Sequence, residues 1–391
     1  MESEVAGMNF FNRIHIHGFR RLYDVALDLR ALNVVIGANG CGKTSLLDVF
    51  SLLSATASGR LKESISDLGG IDANLTNLQT ANGGKAQSIA FELSMDVPGH
   101  NPLEYRIEME PKGVGYEISL ETLTQQRDQP KPFIHIQGRR GDIRYFDNGL
   151  VKPTWDYDLS ESALSQVPKM FQQPEDLRKR LASSTHYHVL DVSRRAPVRL
   201  PQPMRDAKLP GHDGEDLVSC LFTLRETDPD RFEAIEATLR AGFPNFERLN
   251  FPPVAAGTLA MTWKDRTSKH PFFMHQLSEG TLRFLWLVTL LHSPGLTAVT
   301  MIDEPEVSLH PELLSLLADL LREASGRTQL IVATHADRLV RFLKPAEVMT
   351  FNVADAGAAE VVWADDLDLE TWLEEYTLDQ VWQLGRMGGR A

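Results

Sequence analysis

The sequence contains little cysteine and no long apolar run. Cys41 and Cys220 are its only cysteines in 391 residues, too few for a disulfide framework or a zinc site of four cysteines. No stretch approaches the roughly 18 consecutive apolar residues of a membrane span, and the first residues lack the basic and then apolar pattern of a secretion signal. These absences predict a cytoplasmic protein without a membrane partner.

A net positive charge is lacking as well. The formal net charge is −13 at pH 7, which argues against a surface that binds polyanions throughout but is compatible with a local basic groove. The positions that could form such a groove are Arg139, Arg140, Arg144, Arg178, Lys179, Arg180, Arg194, Arg195 and Arg199. The competing interpretation of each cluster is a solvated surface face.

Heptad repeats and internal repeats are also absent. The segment between Thr44 and Leu277 is too short and too irregular for a long antiparallel coiled coil. The apolar content of 42% is nevertheless sufficient for a sizeable core. The sequence therefore predicts a globular protein without long arms.

What is present is an alternation of strand and helix patterns that is typical of an α/β fold. Residues 1–123 contain a glycine loop and, from the alternating apolar residues between Ser88 and Leu123, an antiparallel β layer. Residues 124–257 are interpreted as an inserted helical or irregular lobe, since they are more polar and punctuated by proline. Residues 258–391 return to strands alternating with helices and form the third part.

The glycine loop matches the pattern G-x-x-x-x-G-K-[ST] and stands between a buried-strand run and a helix pattern. Backbone N–H groups of such a loop wrap phosphates, while Lys43 places a charge beside the outer phosphates and the Thr44 hydroxyl can ligate Mg²⁺. The predicted nucleotide-binding residues here are Gly37, Ala38, Asn39, Gly40, Cys41, Gly42, Lys43, Thr44 and Ser45. The alternative is a glycine-rich turn without a ligand.

A pair of acids, Asp303 and Glu304, ends a second apolar strand. Burying two carboxylates there is costly without a cation or a chemical task. Asp303 is predicted to hold Mg²⁺ or its water shell, and Glu304 to polarise an attacking water. The alternative is a strand-ending turn with two surface acids.

Two further motifs have simpler explanations when each is taken alone. Ser278 and Gly280 lie directly before an apolar helix, where Ser278 would be a good N-cap. His335 follows the apolar strand pattern of residues 329–334, and a lone histidine in such a place is usually structural. The order of these two motifs along the chain, relative to the glycine loop and the acid pair, supports a functional role for both.

Together the motifs resemble those of ABC-type ATPases of the RecF/SMC-like branch. They are most similar to its compact, OLD-related and RecF-related members without a coiled coil, often labelled AAA-family ATPases. The resemblance rests on Gly18 to Arg21, Asn39 in the glycine loop, Asp213-Gly214, Leu277 to Arg283, Asp303 to Pro311, Ala333 to His335 and the ending Tyr376 to Gly389. It covers most of the chain and is weakest over residues 124–210.

The resemblance implies a P-loop NTPase fold of the ABC-head type, with ATP and Mg²⁺ as cofactors. It implies catalytic roles for Lys43, Glu304 and His335, the last as the switch histidine that contacts the γ-phosphate. Ser278 and Gly280 would meet the γ-phosphate held by a partner head, so that ATP binding produces a homodimer. The segment Ser308 to His310 matches the D-loop, which crosses the dimer interface in this family.

Some positions depart from the family pattern or are ambiguous. Cys41 stands where serine is common, and Glu279 and Thr281 replace the glycine and glutamine of the L-S-G-G-Q signature. The glutamine that would ligate Mg²⁺ is either Gln79 or Gln87, and we favour Gln79. Arg20, with Arg21 and Tyr23 beside it, lies near the place where the family reads the adenine base.

The function that the resemblance implies is a nucleotide-driven switch in DNA repair, recombination or anti-phage defence. DNA or RNA and a separate effector protein, such as a nuclease, are the candidate partners. The part after His335 is too short for the Toprim nuclease domain of OLD-type proteins, so any nuclease is expected on another chain. The alternatives are an ATPase subunit of a membrane transporter and a scaffold that binds ATP without hydrolysing it.

One histidine pair lies outside these motifs. His186 and His188 are spaced to share one face of a strand as metal ligands. The sequence shows no further cysteine or acidic partner for them, so a structural role is the favoured interpretation.

Overall fold

The computed structural model of the protein describes residues 11–78, 85–255 and 257–388. Its strands are β1 (Phe11–Phe19), β2 (Leu22–Asp28), β3 (Leu32–Gly37), β4 (Ile89–Val97), β5 (His100–Lys112), β6 (Gly115–Gln125), β7 (Phe133–Arg139), β8 (Asp142–Phe146), β9 (Leu150–Val151), β10 (Thr185–Tyr187), β11 (Gln202–Pro203), β12 (Phe246–Asn250), β13 (Pro253–Ala255), β14 (Thr258–Leu259), β15 (Thr262–Asp265), β16 (Phe272–Phe273), β17 (Val299–Asp303), β18 (Gln329–Ala333), β19 (Val348–Val353) and β20 (Ala359–Trp363).

The helices surround these strands. They are α1 (Lys43–Ser58), α2 (Leu61–Asp67), α3 (Ile71–Asn74), α4 (Ala163–Gln166), α5 (Gln172–Ala182), α6 (Leu217–Thr227), α7 (Pro229–Gly242), α8 (Glu279–His292), α9 (Leu313–Ala324), α10 (Asp337–Val340), α11 (Glu370–Leu373) and α12 (Leu378–Gln383). Among the described residues, no helix has both the length and the apolar character needed to cross a membrane.

A six-stranded sheet in the order β10-β17-β18-β3-β19-β20 forms the centre of the fold. Its first five strands are parallel, and β20 runs antiparallel to β19. Successive residues of one strand face two different cores, since Val34 and Val332 pack on one side and Val35 and Ile331 on the other. Burial on both faces explains why these strands are almost continuously apolar in sequence.

Helices cover one face of the central sheet. The core there is formed with α6, α7, α8 and α9. Helix α9 buries Leu313, Leu314, Leu317, Leu321 and Ala324, a spacing that places an apolar stripe on one side of a helix.

The other face is covered by α1 and by an eight-stranded antiparallel sheet in the order β2-β1-β4-β5-β6-β7-β8-β9. Phe50 of α1 packs in the same core as Ile16 of β1 and Phe91 of β4. The antiparallel β layer predicted before residue 123 is therefore present, but it continues through β7, β8 and β9 to Val151.

The predicted division at residue 123 does not match an element boundary, because it falls inside β6. In addition, β10 of the predicted inserted lobe joins the central sheet beside β17. The segment 124–257 thus contributes to both large sheets. The division into 1–123, 124–257 and 258–391 remains a prediction from the sequence.

The topology brings three strand ends together. Val35 of β3 pairs with Ala333 of β18, and Ala333 pairs with Asp303 of β17. The carboxyl ends of adjacent parallel strands lie at one edge of a sheet, where such folds bind their ligands. The residues that follow these strands form the candidate site.

Candidate functional site

The loop between β3 and α1 requires its glycines. Gly37, Gly40 and Gly42 all have positive φ angles, of 149°, 74° and 118°, which residues with a Cβ rarely adopt. A Cβ on Gly37 would also lie 2.3 Å from the carbonyl oxygen of Phe351. This backbone turns the first N–H groups of the 16-residue helix α1 toward the loop, the arrangement that binds phosphates at helix N-termini.

Lys43, the first residue of α1, reaches back into its own loop. Its Nζ donates to the carbonyl oxygens of Gly37 at 2.6 Å and Ala38 at 2.9 Å. Burial lowers the pKa of Lys43, while Asp303 and Glu304 act in the opposite direction. The ammonium therefore lies close to both acids of the second motif.

A cavity of about 290 Å³ opens at this edge of the sheet. It is lined by Arg20, Arg21, Gly40, Gly42, Lys43, Thr44, Ser45 and His335. The lining is cationic and rich in N–H groups, so it fits a polyphosphate. Arg20 is held in the wall by Asp48 and by a hydrogen bond of 2.9 Å from its Nε to Asn74 Oδ1, and its adenine contact remains a prediction.

Asp303 and Glu304 stand where β17 ends. Burial and the neighbouring Glu304 raise the pKa of Asp303, so the site favours a cation beside this carboxylate. In the described part of the chain its carboxylate makes no hydrogen bond, which leaves the oxygens available to a metal ion. Glu304 has a φ of 47°, a strained backbone of the kind found at functional sites.

His335 lies opposite Glu304. Its Nε2 is 3.6 Å from Glu304 Oε1, and the backbone N–H of Glu304 is bonded to Ala333 at 2.8 Å, which fixes the two loops together. Burial, followed by the charge of Lys43, lowers the pKa of His335. The imidazole is therefore neutral near pH 7.

Glu306 is a site residue that the sequence analysis did not single out. Its Oε1 accepts hydrogen bonds from Thr334 Oγ1 at 2.6 Å and from the backbone N–H groups of His335 at 3.1 Å and Ala336 at 3.2 Å. Burial raises its pKa. The available signal was a third acid two residues after the Asp303-Glu304 pair.

Ser278 caps helix α8, as its sequence context predicted. Its Oγ accepts a hydrogen bond of 3.1 Å from the backbone N–H of Thr281. Gly280 packs against the predicted D-loop, where a Cβ would lie 2.5 Å from the carbonyl oxygen of Ser308. Ser308 is also bonded by Arg283, so signature and D-loop form one surface.

This surface is separate from the glycine loop. Ser278 lines a second cavity, of about 340 Å³, together with Phe243, Trp263 and Leu277. Of the described residues that line the glycine-loop cavity, none belongs to the signature. Within one chain the structure unites Lys43, Thr44, Asp303, Glu304 and His335 but not Ser278 and Gly280.

The remaining predicted positions are less informative. Gln79 lies outside the described residues, whereas Gln87 is exposed just before β4, so the choice between the two remains a prediction.

Two of the nine basic positions are structural: Arg178 donates to the carbonyl of Val167 at 2.8 Å and Arg199 to that of Leu277 at 2.9 Å. Arg194 and Arg195 are exposed.

The fold is similar to that of Smc head domains. A crystal structure of the SmcHead bound to the C-winged helix domain of ScpA matches with a TM-score of 0.57 and 14% identity, over 90% of this chain and 97% of that chain. The Smc head with an extended coiled coil bound to the C-terminal domain of ScpA, derived from Pyrococcus furiosus, matches with a TM-score of 0.55 and 12% identity, over 94% and 98%.

No curated protein matches the chain. One family model does, described as "AAA domain, putative AbiEii toxin, Type IV TA system", and it covers residues 32–341. That range contains the glycine loop, the signature, the acid pair and His335. The chain therefore belongs to this AAA-domain family, and its fold is similar to that of an Smc head.

Proposed function

We propose that the protein binds ATP with Mg²⁺ at the glycine loop and hydrolyses it in a site shared by two copies of the chain. The main support for this proposal is that four residues lie close together at one edge of the central sheet, namely Lys43, Asp303, Glu304 and His335. The loop after β3 supplies the phosphate counter-charge, the end of β17 supplies the metal ligand and the base, and the loop after β18 supplies a hydrogen-bond donor for phosphoryl transfer to water.

The residues present fit a magnesium nucleotide. Thr44 is exposed in the cavity wall, and the Asp303 carboxylate has no hydrogen bond to any of the described residues, so these two would hold Mg²⁺, with Gln79 as the predicted third ligand. When bound, Mg²⁺ would neutralise charge on the outer phosphates. Lys43 would exchange its bonds to the loop carbonyls for bonds to a phosphate oxygen.

Glu304 and His335 are the groups of this chain that would act on the attacking water. The Glu304 carboxylate orients the water and accepts its proton as the water oxygen attacks the γ-phosphorus. The bond from the γ-phosphorus to the β,γ-bridging oxygen breaks, and ADP leaves with the electron pair. The neutral His335 imidazole faces the same small volume and can donate a hydrogen bond to the γ-phosphate. Glu306 holds the backbone of His335 and so positions this ring.

The second copy is needed because neither Ser278 nor Gly280 lines the glycine-loop cavity of its own chain, and Ser278 lines a separate one. The N-terminus of α8, a helix of 14 residues, offers N–H groups and a positive dipole end to an anion. A partner head would bring this end to the γ-phosphate. ATP would then join two heads into a homodimer.

In the cell we place this switch in the cytoplasm, in DNA repair, recombination or anti-phage defence. DNA or RNA and an effector protein such as a nuclease are the proposed partners. Protein partners are supported by the two Smc heads, which are bound to a domain of ScpA in their structures. Intact Lys43, Asp303 and Glu304 argue for a hydrolysing switch rather than a scaffold.

The Lys43→Ala variant tests the nucleotide site. Removing the ammonium should weaken ATP binding itself and abolish hydrolysis, because it is the main side-chain charge on the outer phosphates. ATP affinity is measured by titration calorimetry and hydrolysis by phosphate release, with Lys62→Ala as a control at an exposed position of α2. Undiminished ATP affinity in Lys43→Ala would contradict the proposed site.

A further inference from the structure

A second group of potential metal ligands adjoins the candidate nucleotide site. Strand β10 pairs in parallel with β17, so that His186 lies opposite Met301 and Tyr187 opposite Ile302. One ring nitrogen of His186, one of His188 and a carboxylate oxygen of Asp303 lie within 4.8 Å of one another. The fold thus supplies the acidic partner that the sequence did not show for the histidine pair.

The hydrogen bonding of His186 leaves one nitrogen facing this group. Ser51 Oγ donates its only proton to the carbonyl of Leu47 at 3.1 Å, so its oxygen accepts from His186 Nδ1 at 3.4 Å. The proton of the neutral ring is then on Nδ1, and Nε2 carries the lone pair. A metal-ligating histidine is commonly held in this way by a bond from its other nitrogen.

The His186 Nε2 atom is buried and has no hydrogen-bond partner among the described residues. Buried polar atoms without a partner are uncommon and call for an explanation. His188 is exposed and lies beside His186, with ring centroids 4.1 Å apart and ring planes tilted by 46°.

We propose that His186, His188 and Asp303 bind one divalent first-row transition cation of the Zn²⁺ type. Two imidazoles and one carboxylate are a donor set for such ions, whereas Mg²⁺ takes oxygen ligands. Two ligand atoms of a tetrahedral ion would be about 3.4 Å apart, so the three atoms would have to move closer together, which rotation of the exposed His188 ring allows. Three protein ligands leave further positions open to water.

The site shares Asp303 with the Mg²⁺ position of the proposed function. A transition cation bound to Asp303 would make this carboxylate unavailable to Mg²⁺ and would therefore inhibit ATP hydrolysis. This consequence rests on the proposed function, whereas metal binding itself does not. The site would make the ATPase sensitive to free transition metals.

The test uses the full chain without nucleotide and Co²⁺ as a probe. The wild-type protein should bind one Co²⁺ per chain and develop visible d–d absorption, and Zn²⁺ should displace it. His188→Ala should weaken Co²⁺ binding at least tenfold, whereas His270→Ala, an exposed histidine on the β15–β16 turn, should bind as the wild type does. His188→Gln, which preserves the size of this exposed side chain, repeats the test should the alanine variant fold poorly.

Two results would overturn the proposal. One is a wild-type protein that takes up no Co²⁺ at micromolar concentrations, and the other is a His188 variant that binds Co²⁺ as tightly as the wild type. Measuring Co²⁺ binding and ATP hydrolysis on the same protein distinguishes failure of the metal-site proposal from failure of the proposed function. Co²⁺ binding that depends on His188 in a chain that does not hydrolyse ATP would leave the metal site established and the ATPase proposal rejected.

Discussion

The Glu306 carboxylate holds the backbone N–H group of His335 at 3.1 Å and the Thr334 hydroxyl at 2.6 Å. One half-buried acid thus ties the turn after β17 to the end of β18, across 28 positions of sequence. The distance between Glu304 and His335 depends on this tie.

Glu306→Ala should destabilise the protein by about 1–3 kcal/mol, because it leaves a buried hydroxyl and backbone N–H groups without their acceptor. Glu306→Gln retains an acceptor oxygen and should lose less. Urea unfolding measures both, and phosphate release should show a larger loss of ATP hydrolysis in the alanine variant. Equal stability of the two variants would show that the acceptor bonds are not what matters at this position.

Glu304→Gln should slow hydrolysis by about 10²–10⁴-fold while ATP and Mg²⁺ still bind, since the amide keeps the shape of the side chain but cannot take a proton. The heads should then remain closed. Light scattering in MgATP should give the mass of a dimer for Glu304→Gln and of a monomer for Lys43→Ala. A monomeric Glu304→Gln protein would contradict ATP-driven closure.

Chains carrying Lys43→Ala and chains carrying Ser278→Arg should each be inactive but should recover activity when mixed. In a symmetric mixed dimer one of the two composite sites keeps an intact glycine loop and an intact signature, so equal mixing should restore about a quarter of the wild-type rate. The ATPase rate is followed against the mixing ratio. The absence of any recovery would indicate a site completed within one chain.

Nucleic acid should bind more tightly with ATP and lose affinity steeply with salt, because an acidic protein must use a local cationic surface. Arg194 and Arg195 are exposed on the segment that Arg199 fastens to the signature loop. Reversing both charges to glutamate should reduce binding of a labelled DNA or RNA duplex at low salt, with Arg60→Glu/Lys62→Glu as the matched control. Equal affinities of the two double variants for the duplex would show that the nucleic acid contacts a different surface.

His135 should contribute a specific acid sensitivity. It is 6% exposed, and burial lowers its pKa from 6.5 to about 4. The unfolded chain therefore binds a proton that the folded chain rejects, so stability is full above pH 6.5 and falls as the pH decreases toward 4. Between pH 7.5 and 5 the wild type should lose about 2 kcal/mol more than His135→Phe.

Urea unfolding at the two pH values measures this difference. His270→Phe, at an exposed position, controls for the removal of a histidine. Parallel pH dependences of wild type and His135→Phe would show that His135 is protonated in the folded protein.

The parts of the fold that the sequence predicted well are local. The unit of β3, glycine loop and α1 could be predicted because strand, loop and helix are contiguous and the loop needs glycine at fixed positions. Strands β7 to β9 were missed because Pro130, Pro132 and the polar residues around them indicate a loop, whereas pairing with β6 supplies the missing stabilisation.

Contacts between distant segments could not be predicted in the same way. Glu306 meets Thr334 and His186 approaches Asp303 only because β17 lies between β10 and β18. Periodicity indicates that a strand exists and which residues share a face, but it does not give the order of strands in a sheet. The sequence therefore indicated motifs that are contiguous along the chain, but not the contacts of Glu306 with Thr334 or of His186 with Asp303.

Helix α1 is buried on nearly every side, from Lys43 and Leu46 to Phe50 and Leu53, between the central sheet and the antiparallel sheet. A close-packed interior transmits displacement rather than absorbing it. With 16 residues α1 is about 24 Å long. A pull on Lys43 at one end would therefore be transmitted along α1 to the antiparallel sheet that packs against it.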